Sequence, residues 1–512
     1  MSRKIVLKAT LLIMALTLTS RILGFAREMA IASVFGASKL VDAYLAAQII
    51  PTFFASFIGG GLMVVVVPVI NEFLAQKKHT EATHVTNSIL TLSFLALGII
   101  TVIGIFTAPF LIKFVGYGFQ GDTLKLARTL STWLFPLVVL MSLTQILTGV
   151  LNAYQHFFTP ALGPVLNNVI LIAAVMLLGK SQGITALVGG TLAGWTIYLL
   201  IMLPAFKKTG FYFRPVLDIH HPAVIRAWEM FLPVIIGTTF AQINLLVDRM
   251  LASSLTEGSI SALNYAAKLY QLPLGLISLA VSSAIFPSLS ALAAQGEKSK
   301  LLELTRFGLR LSTVISLPAQ VGLMVLATPI VAVLFERGAF DARATELTAG
   351  ALFFYSLAIV FYVINAVLTR LFYAQNDTLT PLKVGALAVL GNIGVNLILV
   401  RFLAHRGLAL GTSFAAILSN VLFFYFAQKK FGNLFDREMQ SFFLKSLIAS
   451  LLMGVGAYKI YYWLLFEGRT VALFTAILFG ITLYFTLLVV FGVKEVKYIK
   501  KLFLKFKAKL SL

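Results

Sequence analysis

Apolar runs of roughly twenty residues recur along this chain from end to end, and they constrain its fold more tightly than any motif. A helix rises 1.5 Å per residue, so a run of that length crosses the ~30 Å hydrocarbon core, where backbone groups must bond within their own segment. Leu, Ala, Val, Ile and Phe fill the runs without a period of two, which excludes the alternating strands of a membrane barrel. Fourteen spans are expected: 9–36, 42–72, 84–113, 123–153, 160–180, 184–206, 227–254, 260–293, 301–334, 344–373, 379–401, 407–428, 440–464 and 470–492. Of 512 residues 59% are hydrophobic and only 12% charged, too few to coat a soluble globule. The chain reads as an all-α polytopic membrane protein.

The formal charge of +22 would suggest nucleic acid in a soluble protein. Here most basic residues lie in short loops and the tail, so the charge reports orientation and attraction to anionic lipids, and no nucleic-acid partner is expected. Loops and span ends on the N-terminal side carry 26 Lys/Arg, including Lys77, Lys78, Lys207 and Lys208, against 10 on the other side. The positive-inside rule therefore places both termini in the cytoplasm. Arg3, Lys4 and Lys8 before an apolar run resemble a signal peptide, but no small-residue cleavage site follows and Arg21 interrupts the run; it reads as a retained first span. The tail 493–512 spaces Val496, Ile499, Phe503, Phe506 and Leu510 by three and four among lysines, as an interfacial amphipathic helix does.

Equivalent landmarks recur about 220 residues apart: Tyr44 and Tyr265, Pro51 and Pro273, Thr159-Pro160 and Thr380-Pro381, Gly190-Thr191 and Gly411-Thr412, Lys207-Lys208 and Lys429-Lys430. Six spans separate equivalent points, so two six-helix lobes in parallel pseudo-repeat are expected, 1–206 and 227–428, joined by a cytoplasmic linker at 207–226 and followed by two C-terminal helices within 429–492. In such a transporter the site is expected at the repeat interface near mid-membrane.

The polar residues inside spans are the candidates for that site. Thr17, Arg21, Gly24 and Glu28 recur at helical spacing, with Arg27 one turn beyond Gly24. An ionisable group at bilayer depth costs at least ~2.5 kcal/mol, so three in one span need a protein-lined or wet environment. This first span is read as a hinged, substrate-facing helix, with Gly24 as hinge. The structural alternative is a buried ion pair of Arg27 with Glu28 or with Asp42. Span 2 places Gln48, Thr52 and Ser56 on one face, with Pro51 as a second hinge and Gly59-Gly60-Gly61 beyond. In the second half Asn244 and Asp248 share a face near Arg249, which is expected to flank the cavity opposite Arg21 and Arg27; Asn264, Lys268 and Gln271 share a face of the next span. Asp248, Asn392, Asn396 and Thr412 could give oxygen ligands to Na⁺, with interhelical hydrogen bonding as the commoner use. Gly190-x3-Gly194 and Gly407-x3-Gly411 are expected to pack helices closely.

Catalytic chemistry is missing from the sequence. Gly179-Lys180-Ser181 lacks the upstream glycine of a phosphate loop, having Ala174 there, and the histidines, such as His220 and His221, have no metal-ligand spacing. With no cysteine in the chain, thiolate nucleophiles are excluded. No enzyme is expected, since the charged set binds charge without a means of breaking a bond.

Four motifs, SRILGFARE at 20–28, DAYLAA at 42–47, LFERGAF at 334–340 and FYAQNDTLTP at 372–381, closely resemble the lipid II flippase family (MurJ, also called MviN) of the multidrug/oligosaccharidyl-lipid/polysaccharide exporter superfamily. The resemblance extends over essentially the whole chain. It implies alternating access that moves the undecaprenyl-pyrophosphate-linked peptidoglycan precursor between leaflets of the cytoplasmic membrane, a cationic cavity for the head group, and a lipid-tail groove at the last two spans, 429–492. It implies lipid II, membrane lipids and cell-wall synthesis and division proteins as partners, and Na⁺ or the membrane potential as energy source. Carried over by position, Arg21, Arg27, Glu28 and Asp42 match the family's charged positions, and Lys268 stands where arginine is usual. Ile49, Ala55, Gly60 and Ala267 depart from a usual lysine, arginine, acid and aspartate. Two other readings stay open: a superfamily exporter of another lipid-linked oligosaccharide or amphiphilic drug, and a non-transporting scaffold for cell-wall enzymes.

Overall fold

Seventeen α-helices follow one another with short connections in a computed structural model that describes residues 3–209 and 211–495, the side chains of 3–11, 208 and 236–241 excepted. The expected tail helix falls on 496–512, outside the described residues. In chain order the helices are α1 Arg3–Phe35, α2 Lys39–Ala55, α3 Gly61–Ala75, α4 His79–Val115, α5 Gly121–Leu134, α6 Leu137–Ala153, α7 Phe158–Gln182, α8 Ile184–Lys208 and α9 Pro222–Ser253. They continue as α10 Ser259–Ala294, α11 Lys298–Val325, α12 Ala327–Phe335, α13 Ala342–Ser356, α14 Ile359–Ala374, α15 Leu379–Phe431, α16 Arg437–Trp463 and α17 Arg469–Val490. No strand occurs among the described residues.

By length and composition ten helices among the described residues can cross a membrane, or eleven when the bent α5–α6 pair is one span. That order is consistent with fourteen spans, because α15 holds two of the expected runs across a break at Ala404, and α1 and α9 match expected runs that the ten leave out. The outward faces are apolar: Phe106, Phe110 and Phe114, one turn apart on α4, are 64–75% exposed. A soluble protein would not leave such a row in water.

The repeat shows in the backbone. Left-handed residues stand at matching points 217 to 222 residues apart: Gly36 with Gly258, Lys77 with Gly296, Gly121 with Gly338, Gln155 with Asn376 and Gly183 with Ala404. Each terminates a helix or turns into the next, so the duplication preserved the stops even where it lost the side chains. Gly183 (φ 61°, ψ −143°) and Ala404 (φ 49°, ψ −132°) adopt a conformation almost restricted to glycine, and the alanine is strained there.

Contacts divide the chain into two compact units: the residues up to Ser261 with Arg337–Asp341, and Ala262–Glu336 with the chain from Ala342 on. The division falls after α9 and not at the linker 207–226, because α9 packs on α2, α3 and α4. In the first unit α1 lies on α7, α7 on α8, α2 on α5 and α3 on α6. Gly190 and Gly194 bring α8 onto α7; a Cβ at Gly190 would lie 2.6 Å from that of Ala174. In the second, α11 packs on α14 and α16, and α16 on α17. Fully buried Tyr484 of α17 donates to Val314 O of α11 at 3.0 Å.

Candidate anion-binding site

The polar stripe of α1 is organised by Asn168 of α7. Its Nδ2 donates to Ser20 O at 3.1 Å, and its Oδ1 accepts from Arg27 Nη1 at 3.1 Å. One amide thus grips α1 at two points, and Gly24 lies beneath it, its site for a Cβ 3.6 Å from Nδ2. The expected hinge at Gly24 is not a break, since α1 runs through it without interruption.

Arg27 Nη2 donates to Glu28 Oε1 at 2.7 Å. The ion pair of the structural alternative therefore forms with Glu28. Two of the five guanidinium N–H groups are engaged, and the side chain is 25% exposed, so three donors stay open around a fixed cation. Arg21 is exposed and makes no bond to another described residue. Arg27 also interacts electrostatically with Tyr44 of α2, whose hydroxyl is 2.8 Å from Thr191 Oγ1 of α8. Four helices converge on this cluster, and the open N–H groups of Arg27 suit an anion.

Asp42 takes no part in this pairing. It is buried, and its two carboxylate oxygens accept from Gly258 N and Ser261 N, each at 2.7 Å, which caps the first turn of α10. Arg249 supports the same turn, donating from Nη1 to Ile260 O at 2.9 Å and attracting Asp42. Expected as substrate ligands, both lie at this helix start: the Asp42 carboxylate accepts from backbone N–H groups that open the helix, and Arg249 donates to a carbonyl of its first turn.

The interruption of span 2 lies beyond Pro51, in a π turn at Ser56–Gly60. Gln145 of α6 donates to Ala55 O at 3.4 Å, at the entry to the turn. Gly59 lies directly on α6, where a Cβ would come 2.5 Å from Ser142 Cα. Ile49 and Ala55 are buried, so the positions departing from the usual lysine and arginine are filled by packing. Thr52 returns its hydroxyl to Gln48 O and Ile49 O at 2.9 Å each, while Gln48 and Ser56 are part-exposed.

In the second unit Asn264 and Lys268 of α10 are part-exposed and Gln271 is exposed. Fully buried Asn392 and Asn396 bond each other, Nδ2 of the second to Oδ1 of the first at 2.9 Å, and Thr412 donates to Leu408 O at 3.2 Å. Asp248 belongs to the first unit. No cluster of three His, Cys, Asp or Glu able to hold a metal occurs among the described residues.

Sequence reasoning missed Asn168 and Thr191 as members of the site. Thr191 carried a signal, the repeat match to Thr412; Asn168 carried one too, as half of the Asn167-Asn168 pair inside an apolar run, but nothing in the sequence said what it faces.

The comparisons with known proteins agree with this architecture. The lipid II flippase MurJ family model matches residues 31–492. A lipid II flippase MurJ of Burkholderia cenocepacia is 32% identical, covering 83% of this chain and 84% of its own. A probable lipid II flippase MurJ of Vibrio cholerae is 31% identical, covering 82% of each. Among solved structures, a lipid II flippase MurJ in its inward closed conformation superposes with TM-score 0.80 at 28% identity, over 94% of this chain and 98% of that one. An inward-facing multidrug resistance MATE transporter follows at TM-score 0.69 and 14% identity over 83% of this chain and 98% of that one, a likeness of fold alone. Family model, relatives and fold converge on one assignment: this chain, a multi-pass membrane protein, belongs to the MurJ lipid II flippase family.

Proposed function

We propose that the chain flips lipid II from the inner to the outer leaflet of the bacterial cytoplasmic membrane by alternating access, without catalysing a covalent step. The observation that carries the head-group assignment is Arg27: a cation fixed by Asn168 and Glu28 with three N–H groups still open. A pyrophosphate presents about two negative charges and takes charge-assisted hydrogen bonds, roughly twice as strong as neutral ones. Arg21, one to two turns away on α1, supplies a second cation. For the lipid tail, α11, α16 and α17 enclose an apolar cleft of about 430 Å³ lined by Pro318, Met453, Ala457, Ile477 and Gly480. The 26-to-10 distribution of basic residues orients both termini to the cytoplasm. The membrane potential or a Na⁺ gradient supplies the driving force.

A leaflet-accessibility assay for lipid II, in cells whose only flippase is this chain, tests the proposal. Lipid II should reach the outer leaflet with wild type and stay inside with Arg27→Ala/Glu28→Gln. Lipid II trapped inside by the wild-type chain would overturn the assignment.

A further inference from the structure

A second cavity in the second unit, about 790 Å³, takes no part in the reading above. It opens among α11, α14, the later half of α15 and α16, with Phe361, Phe424, Phe435 and Phe443 in its walls and Gln320 and Asn420 at its floor. Both amides are 8% exposed. Gln320 Oε1 accepts from Val360 N at 3.2 Å, and no described residue takes its NH₂. Asn420 Nδ2 donates to Asn365 Oδ1 at 3.1 Å, and no described residue donates to its Oδ1. The floor thus offers the open NH₂ of Gln320 and the open carbonyl oxygen of Asn420.

Depth makes this unusual. Asn420 stands nine residues before Lys429 at the basic end of α15, or roughly 14 Å along the helix, about the middle of a ~30 Å hydrocarbon core. An open amide at that depth is costly unless something polar meets it. The fold does not demand it. The first unit has an equivalent cavity of about 500 Å³, in which Leu143, Leu199 and Leu203 stand where this one has Ile364, Asn420 and Phe424, each 221 residues on. A leucine serves at 199.

We propose that the second-unit cavity binds a neutral amphiphile of drug size, an aromatic body carrying one hydroxyl or carboxamide that donates to Asn420 Oδ1 and accepts from Gln320 Nε2. The volume lies within the ordinary range of small-molecule pockets, no charged residue lines it, and flat aromatic walls suit an aromatic body. Gln320 also holds Val360 N in the first turn of α14, just past the break between Ser356 and Ile359. A ligand bridging Gln320 and Asn420 therefore ties α11, α14 and α15 together across that break.

Photolabelling tests this with 4-hydroxybenzophenone, kept neutral at mildly acidic pH, on the full chain in lipid nanodiscs, with labelled peptides read by mass spectrometry. Label should concentrate on the peptides around Phe361, Phe424 and Phe443, and benzophenone, which lacks the hydroxyl, should label them at least tenfold less. Asn420→Leu should reduce the label similarly. Because that variant also loses the bond to Asn365, Leu444→Trp, which narrows the mouth from α16 and leaves the floor intact, provides a second arm and should block labelling. Equal labelling by the two probes would make the cavity an acyl-chain cleft, and label spread evenly over lipid-facing helices, unchanged by Leu444→Trp, would mean no site; either result overturns the proposal.

Discussion

Removing Arg27 should produce two separable defects, and their separation tests whether the cation binds substrate or only balances Glu28. Arg27→Ala takes the ion-pair partner at 2.7 Å from a carboxylate whose side chain is 5% exposed. Breaking a buried pair from one side costs about 3–5 kcal/mol, chiefly through the charge left behind. The variant should therefore melt earlier in detergent and lose transport, which alone decides nothing. Arg27→Ala/Glu28→Gln removes that charge while keeping the shape of residue 28, and should recover most of the stability. Transport should stay lost, because a charged donor pair to pyrophosphate is worth about 3 kcal/mol or more, on the order of a hundredfold in affinity. Arg27→Lys should retain the charge but bind less well, lacking the planar fork. The measurements are thermal unfolding of the purified variants and outer-leaflet lipid II in cells. If the double variant regains both stability and transport, Arg27 is a counter-ion and the head group is held elsewhere.

Three further outcomes follow from the geometry. Ala404→Gly should stabilise the second unit by about 1 kcal/mol, since it relieves a strained left-handed residue at a modest entropic cost, while Gly183→Ala should do the reverse; chemical denaturation of both variants checks the pair. Gly59→Ala should cost about 1–3 kcal/mol by forcing the π turn off Ser142, seen as lower yield of folded protein, and a silent substitution would mean that α6 yields freely. In the turn before α15, burial works against ionisation of Asp377, but bonds from Lys430 and Thr380 outweigh it and hold the carboxyl below its usual range. Its contribution is present above the ordinary carboxylate pKa of about 4 and is lost as pH falls through the lower folded value, so Asp377→Asn should flatten the acid limb of a stability–pH profile.

Class, span order, the repeat and the family were legible in the sequence, because each rests on local periodicity or short motifs that survive without partners. A twenty-residue apolar run has one use in a bilayer, and basic residues at span ends carry their own orientation signal. The arginine and glutamate of α1 were legible as a polar stripe for the same reason: 3.6-residue spacing is visible in any helix. Tertiary structure alone decided what each charge faces. Asp42 and Arg249 lie far apart in the chain, and they meet at one helix start, the first accepting from its N–H groups and the second donating to a carbonyl of its first turn, only because that start packs against α2. Asn168 lies 141 residues from Arg27, and no periodicity within α7 marks it. Gly24 reads as a hinge by composition, yet it lies in an unbroken helix, within ordinary contact of the Asn168 amide that grips α1 on either side of it. Spacing along a helix fixes a face; only packing between helices selects the group that meets it.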